Sequence, residues 1–338
     1  MVAHEVETMA YAGKVPWHGL GVQVSDNMTP DEMLVAAQLD WTVSKRPAYT
    51  IDTPFWTEDS QPIPVPGSHF IVRDTDNKKL SHCGDDYEPF QNHDTFQFFK
   101  KFVSVGDMKM ETAGSLRDGE NIWGLAKIET SFELAGGDKI EGYLLLNSPH
   151  VAGKALTIMF TPIRVVCANT MAMALNTDGK SFRVLHLQAF DDEIMAAAEE
   201  ALGISEVKMN EFKEQTDFLS SKKALPIETQ NFIAELFQPQ LLIERGKMEV
   251  ANDIPLIDEF NKTSEQVHEA INLSPGADFV SAKGTWWGAL NGVTYVLDHE
   301  KRETERIAGG ALHSGWFGQN ANVKRRALAL ATTYAEAA

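Results

Sequence analysis

The sequence predicts an α+β protein, with a mostly antiparallel sheet and helices in the N-terminal half and a helical C-terminal half. Between residues 69 and 166, apolar β-branched runs alternate with short turn-rich stretches that leave no room for crossover helices. From about residue 188 the apolar spacing lengthens to the helical period. The chain has 338 residues, and single cores stop growing at roughly 250–300 residues. Two regions are therefore expected: a mixed α/β sheet domain over 1–187 and a helical region over 188–338. No Gly/Ser- or Pro-rich stretch separates them, so the second is expected to pack on the first.

Thr29 and Glu32 have capping-box spacing around Pro30, and Met33, Leu34, Ala37 and Leu39 continue as an apolar stripe, which predicts a helix there. Residues 48–66, with Pro54, Pro62, Pro64 and Pro66, read as an extended, irregular connection. His69–Arg73 and a run near Leu80 flank a turn-rich stretch at Asp74 and read as a hairpin. Asn92 is placed to cap a helix. Strands follow at 109–116, 121–128, 139–147 and 155–166, and Asn169 or Thr170 can cap a helix over Met171–Leu175. Asp191–Lys223, with Gly203 its one mid-run breaker, reads as a long helix. Further helices are expected at 227–238, 254–272, 285–306 and 321–335.

The formal net charge is −18 and is spread evenly: residues 1–187 carry 24 acids against 16 bases, and residues 188–338 carry 24 against 14. Such a field repels phosphate backbones on average, so any nucleic-acid contact requires a local groove. Cys83 and Cys167 are far apart, which excludes a thiolate metal site or a disulfide framework of the usual kind and fits a reducing cytoplasm. The start lacks a basic region followed by an apolar one, and no window approaches the roughly 20 apolar residues of a membrane span. The ten histidines stand singly, without ligand spacing, and Lys79 occupies the position where a calcium loop beginning at Asp74 needs glycine. No metal and no cofactor is expected.

Within Thr285–His299, Trp287, Asn291, Tyr295 and Asp298 fall at helical steps and mix aromatic with polar groups on one face. Such a face suits a ligand. It equally suits a packed core in which Gly288 and Gly292 let helices approach and the polar groups bond backbone. Arg164 ends a strand, where it can clamp an anion beside Asn169 or pair with an acid. Together Arg164, Asn169, Trp287, Asn291 and Asp298 form the candidate ligand set. Glycines at 309, 310, 315 and 318 precede a helix carrying Lys324, Arg325 and Arg326, which with Lys100 and Lys101 are the densest cationic candidates for a nucleic-acid strip. Both runs also read as solvated faces. Cys167, among Val165, Val166 and Ala168, reads as a small buried hydrophobe.

Read in order, Pro16-Trp17-His18-Gly19-Leu20-Gly21, Tyr87-Glu88-Pro89-Phe90-Gln91-Asn92, Glu111-Thr112-Ala113-Gly114, Arg164–Thr170, Gly284-Thr285-Trp286-Trp287 and Trp316-Phe317-Gly318 resemble the phage/plasmid-like protein family, the domain-of-unknown-function family numbered 932. The resemblance implies a gene of mobile elements and carries over no catalytic residue. Three functions stay open on this reading. The first is a non-enzymatic accessory of DNA metabolism that binds or anneals single-stranded DNA. The second is a module that binds a host protein or a defence-related partner. The third is an enzyme acting on a nucleotide-like or phosphorylated ligand. A homo-oligomer is compatible with each.

Overall fold

The structure, a computed structural model, describes residues 6–13, 20–105, 108–166, 169–170, 182–186, 192–239, 261–300 and 310–338. The fold is α+β. No helix among the described residues is long and apolar enough to cross a membrane. The expected helix at 171–175, Cys167 and the start of the one at 254–272 lie outside the described residues.

Strands β1 (Val6–Ala12) and β2 (Val22–Val24) precede helix α1 (Pro30–Ala36), and β3 (Val43–Ile51), β4 (Pro62–Arg73) and β5 (Lys78–Cys83) precede α2 (Asn92–Val105). The strands β6 (Met108–Leu116), β7 (Asn121–Leu134), β8 (Asp138–Pro149), β9 (Ala155–Arg164), β10 (Asn169–Thr170) and β11 (Phe182–Leu185) follow. One sheet has the order β10-β9-β8-β7-β6-β1-β2, with β11 also on β9. It is mixed: β1 and β6, β6 and β7, β9 and β10, and β9 and β11 pair antiparallel, whereas β1 and β2 run parallel. The parallel pair departs from the expectation, because a Val-Gln-Val strand of three residues at an edge is too short for its alternation to stand out.

A second, three-stranded sheet has the order β3-β4-β5 and is antiparallel throughout. The reading of 48–66 as an extended, irregular connection holds for 52–61 and is corrected at its two ends, 48–51 and 62–66, which are strand. The prolines are tolerated because β5 pairs only with His69–Arg73, so the stretch of β4 before Gly67 has one open edge. Pro62, Pro64 and Pro66 are spaced by two, and their missing N–H groups fall along the same side.

Thr29 caps α1 as expected, with its hydroxyl accepting from Glu32 N–H and the Glu32 carboxylate accepting from Thr29 N–H at 2.8 Å. The remaining helices are α3 (Asp192–Ser221), α4 (Pro226–Phe237), α5 (Lys262–Leu273), α6 (Trp286–Tyr295), α7 (Gly310–Phe317) and α8 (Gln319–Ala337). The helix expected over 285–306 ends as an α-helix at Tyr295 and widens into a π turn at Val296–Glu300. The glycine-rich segment ahead of the last helix itself contains α7.

The chain divides into two compact units: Met1–Ile128 with Leu144–Met159 and Gly179–Gly203, and Glu129–Tyr143 with Phe160–Asp178 and Ile204–Ala338. The first is built around Trp123, Phe96, Phe98, Phe99, Met33 and Leu39, all fully buried. Phe99 seats on Gly124, where an added Cβ would lie 2.9 Å from its ring. The second is built around Trp286, Trp287, Phe212, Phe232 and Leu290. There a Cβ on Gly288 would stand 1.9 Å from the Ala282 carbonyl oxygen and one on Gly292 2.5 Å from Ile271, so both glycines serve close approach of α6 to its neighbours.

Candidate functional site

The expected ligand set lies in the second unit, where most of its polar groups are already engaged. Asp138, which follows the Gly136-Gly137 turn, and Arg164, at the end of β9, are both fully buried. Arg164 donates from Nε to Asp138 Oδ1 at 2.7 Å and from Nη2 to Oδ2 at 2.8 Å, with Nη2 also donating to the Gly276 carbonyl at 2.9 Å. Ser281 Oγ and the Trp287 indole N–H complete the carboxylate at 2.7 and 3.0 Å. A buried charge pair persists only when its remaining lone pairs are so satisfied. Arg164 and Trp287 are thus brought together, through an aspartate that sequence reasoning missed, and Arg164 serves as an ion-pair partner. Asn169 stands opposite Arg164 in the β9–β10 register.

Asn291, 2% exposed, donates to the Trp287 carbonyl one turn earlier at 2.8 Å. Asp298 sits in the π turn and accepts from Lys324, whose ammonium is buried in α8. Burial pushes the Lys324 pKa down, and the Asp298 carboxylate opposes that shift. The cationic strip is correspondingly dispersed. Lys324 is 3% exposed, Arg325 donates to Asn322, Arg326 donates to the Glu235 carbonyl at 2.8 Å, and Lys100 pairs with Asp31 at 2.8 Å. Lys324 is therefore withdrawn from the face where phosphate contact was expected, because the π turn presents a carboxylate to it. Lys101 lies in α2.

Among the described residues no group of three or more His, Cys, Asp or Glu side chains is placed to hold a metal ion. Cys83 is buried, and desolvation raises its thiol pKa, which favours the unreactive form. A pocket of about 260 Å³ lined by Leu34, Leu39, Trp41, Asp31 and Asp40 falls below the usual small-molecule range of roughly 300–1,000 Å³.

The open site is elsewhere, at the tip of the β3–β4 hairpin in the first unit. Phe55 is 79% exposed and Trp56 73%, with Tyr49 and Ile63 exposed on the strands below. The loop that presents them is closed by its own polar groups. Asp52 N–H donates to the Gln61 carbonyl at 3.2 Å and Gln61 N–H to Asp52 Oδ1 at 3.0 Å. Thr53 Oγ1 donates to the Phe55 carbonyl at 2.7 Å, and the buried Ser60 hydroxyl accepts from Thr57 N–H at 2.8 Å. Asp52, Glu58 and Asp59 flank the aromatics in sequence, and no Lys or Arg occurs from residue 47 to 72. Both hairpin edges are closed to strand addition. The Gln91 amide imitates a neighbouring strand by bonding Val43 N–H and carbonyl, each at 3.0 Å, Pro47 removes a donor further along β3, and the prolines of β4 do the same on the other side. Sequence reasoning missed Phe55 and Trp56. The available signal was an adjacent aromatic pair after a proline, in a stretch with neither helical nor strand periodicity.

No curated protein and no solved structure matches the chain. Residues 79–330, from within β5 to within α8, match the family described as a domain of unknown function, DUF932. The resemblance carried by the tyrosine, arginine and tryptophan motifs is thereby shown, and the chain belongs to the DUF932 family.

Proposed function

We propose that this chain is a non-enzymatic binding module that docks on a protein partner through the tip of its β3–β4 hairpin. The observation that carries the reading is the exposure of Phe55 and Trp56 on a loop whose polar groups are already paired with one another. Burying such rings contributes about 4–6 kcal/mol each in gross terms, from 150–250 Å² of area at ~25 cal/mol/Å². A loop ordered before contact loses little further freedom on binding. The acidic rim favours a partner with basic residues around an apolar cleft, and it disfavours a phosphate backbone. The closed edges favour insertion of side chains over β-augmentation.

The single-stranded DNA reading relies on a cationic strip in which Lys100, Lys324, Arg325 and Arg326 are buried or bonded to neighbours, and no observation favours it over the hairpin. The two are separated by one pair of measurements. A photo-crosslinking residue at position 56 in cells of the source organism is expected to capture a discrete protein. That purified protein should bind the wild-type chain and lose at least tenfold in affinity to Trp56→Ser. Labelled single-stranded oligonucleotide at about 20–50 mM salt, where weak phosphate contacts register, should give no anisotropy change. A salt-sensitive anisotropy change that Trp56→Ser abolishes would replace the protein partner with nucleic acid.

A further inference from the structure

The first unit contains a second polar cluster, which the hairpin does not involve. His150, just after β8, is fully buried, and its Nε2 lies 2.8 Å from Asn92 Oδ1. The orientation of that amide is fixed, because Asn92 Nδ2 donates to the Leu39 and Trp41 carbonyls at 2.9 and 3.3 Å. Asn92 therefore presents an acceptor, His150 Nε2 carries the proton, and His150 Nδ1 is an unprotonated lone pair. His186 has the complementary arrangement. Its Nδ1 faces the Glu88 carbonyl at 3.2 Å and must donate, which leaves Nε2 unprotonated. Among the described residues no group hydrogen-bonds His150 Nδ1, His186 Nε2 or the Tyr87 hydroxyl, and all three atoms are buried.

These groups belong to one neighbourhood. The six-residue segment Tyr87–Asn92 supplies partners to both imidazoles. Tyr87 stacks on His186 with centroids 4.9 Å apart, Phe90 stacks on its ring at 4.2 Å, and Asn92 holds His150. His186 is close enough to bear electrostatically on His150. Ser148, two residues before His150 in sequence, also has a buried hydroxyl with no partner among the described residues. Leaving several such groups unsatisfied at once would cost an amount comparable with the net stability of a domain, so the arrangement requires an occupant.

We infer that His150 Nδ1 and His186 Nε2 form an internal binding site for one small hydrogen-bond donor, a water molecule or an ammonium-type group. Two lone pairs ask for two donated protons, which both sources supply. They repel an anion, and the aromatic rings of Trp41, Tyr87 and Phe90 packed against the imidazoles restrict any occupant to a small one.

The test uses the intact chain labelled with ¹⁵N-histidine, together with a high-resolution crystal structure. Each ring is expected to show one protonated and one unprotonated nitrogen, with the unprotonated signal displaced as by an accepted hydrogen bond. Discrete density should lie about 2.7–3.2 Å from both nitrogens. Cross-peaks from added ¹⁵N-ammonium to the ring protons identify the ammonium source, and unchanged density with no such cross-peaks identifies water. His186→Phe should move the His150 Nδ1 signal and leave its Nε2–H bond to Asn92 intact. Free-imidazole shifts at both rings, density touching only one of the two nitrogens, or a His150 signal indifferent to His186→Phe would each overturn the site.

Discussion

Acidification is expected to destabilise the first unit well before the carboxylates of the protein titrate. His150 is held neutral by burial, with His186 contributing, and its pKa falls to about 3. Burial brings His186 down to about 4, from an ordinary value of 6.5. In the unfolded chain both rings take up a proton as pH falls through 6.5, whereas in the fold neither does until pH 3–4. The unfolded state therefore binds more protons throughout that window, and stability falls as pH falls. At pH 5, 1.5 units below the unfolded value, each histidine costs about 2 kcal/mol and the pair about 4 kcal/mol. A typical domain has a net stability of ~5–15 kcal/mol. Urea denaturation at pH 7.5, 6 and 5, followed by circular dichroism, reads the effect directly. The midpoint should drop steadily below pH 6.5, with an unchanged slope against denaturant. Stability that stays flat from pH 7.5 to pH 5 would refute the burial and fixed tautomers on which the calculation rests.

In the second unit, Asp138→Asn should destabilise by about 3–5 kcal/mol, because Arg164 is left as an uncompensated buried charge. Asp138→Asn combined with Arg164→Met should then cost less than the two single changes added together, as urea melts of the double-mutant cycle would record. Lys324→Met should likewise lose about 3–5 kcal/mol by stranding Asp298, while Arg325→Gln on the exposed side of the same helix should stay within about 0.5 kcal/mol. Gly288→Ala is expected to lower the melting temperature through overpacking of about 1–3 kcal/mol, since its methyl group meets the Ala282 carbonyl. Phe55→Ser with Trp56→Ser should leave the melting temperature unchanged, as expected of exposed side chains, with an effect within about 0.5 kcal/mol.

What was legible in the sequence was what local chemistry decides. The Thr29/Glu32 box needs only four consecutive residues, and it forms as read. The strand runs from 109 to 164 stood out because their apolar residues sit between turn residues, and α3 because a helical stripe crosses thirty residues with a single glycine. The prolines of 48–66 misled, since the penalty for proline in a strand depends on whether a neighbour lies on its N–H side, which is a property of the assembled sheet. The π turn at Val296–Glu300 was hidden because nothing in its composition distinguishes a widened turn from continued α-helix. Asp138 looked like an ordinary turn acid after two glycines. Its role depends on Arg164, 26 residues later, and on Trp287, 149 residues later, and no local pattern encodes either separation.

The self-closure of the Asp52–Gln61 loop has a consequence for how this protein can change. Its bonds run from loop to loop and end at the Asp52/Gln61 pair, and the loop precedes the stretch that matches the family at residue 79. Residues 53–60 are thus a removable cartridge. They can be exchanged for another sequence of the same length with Asp52 and Gln61 retained, and the two strands beneath would keep their register. The tip can change in this way while the body of the protein, with its buried ion pairs and close-packed glycines, is left unaltered.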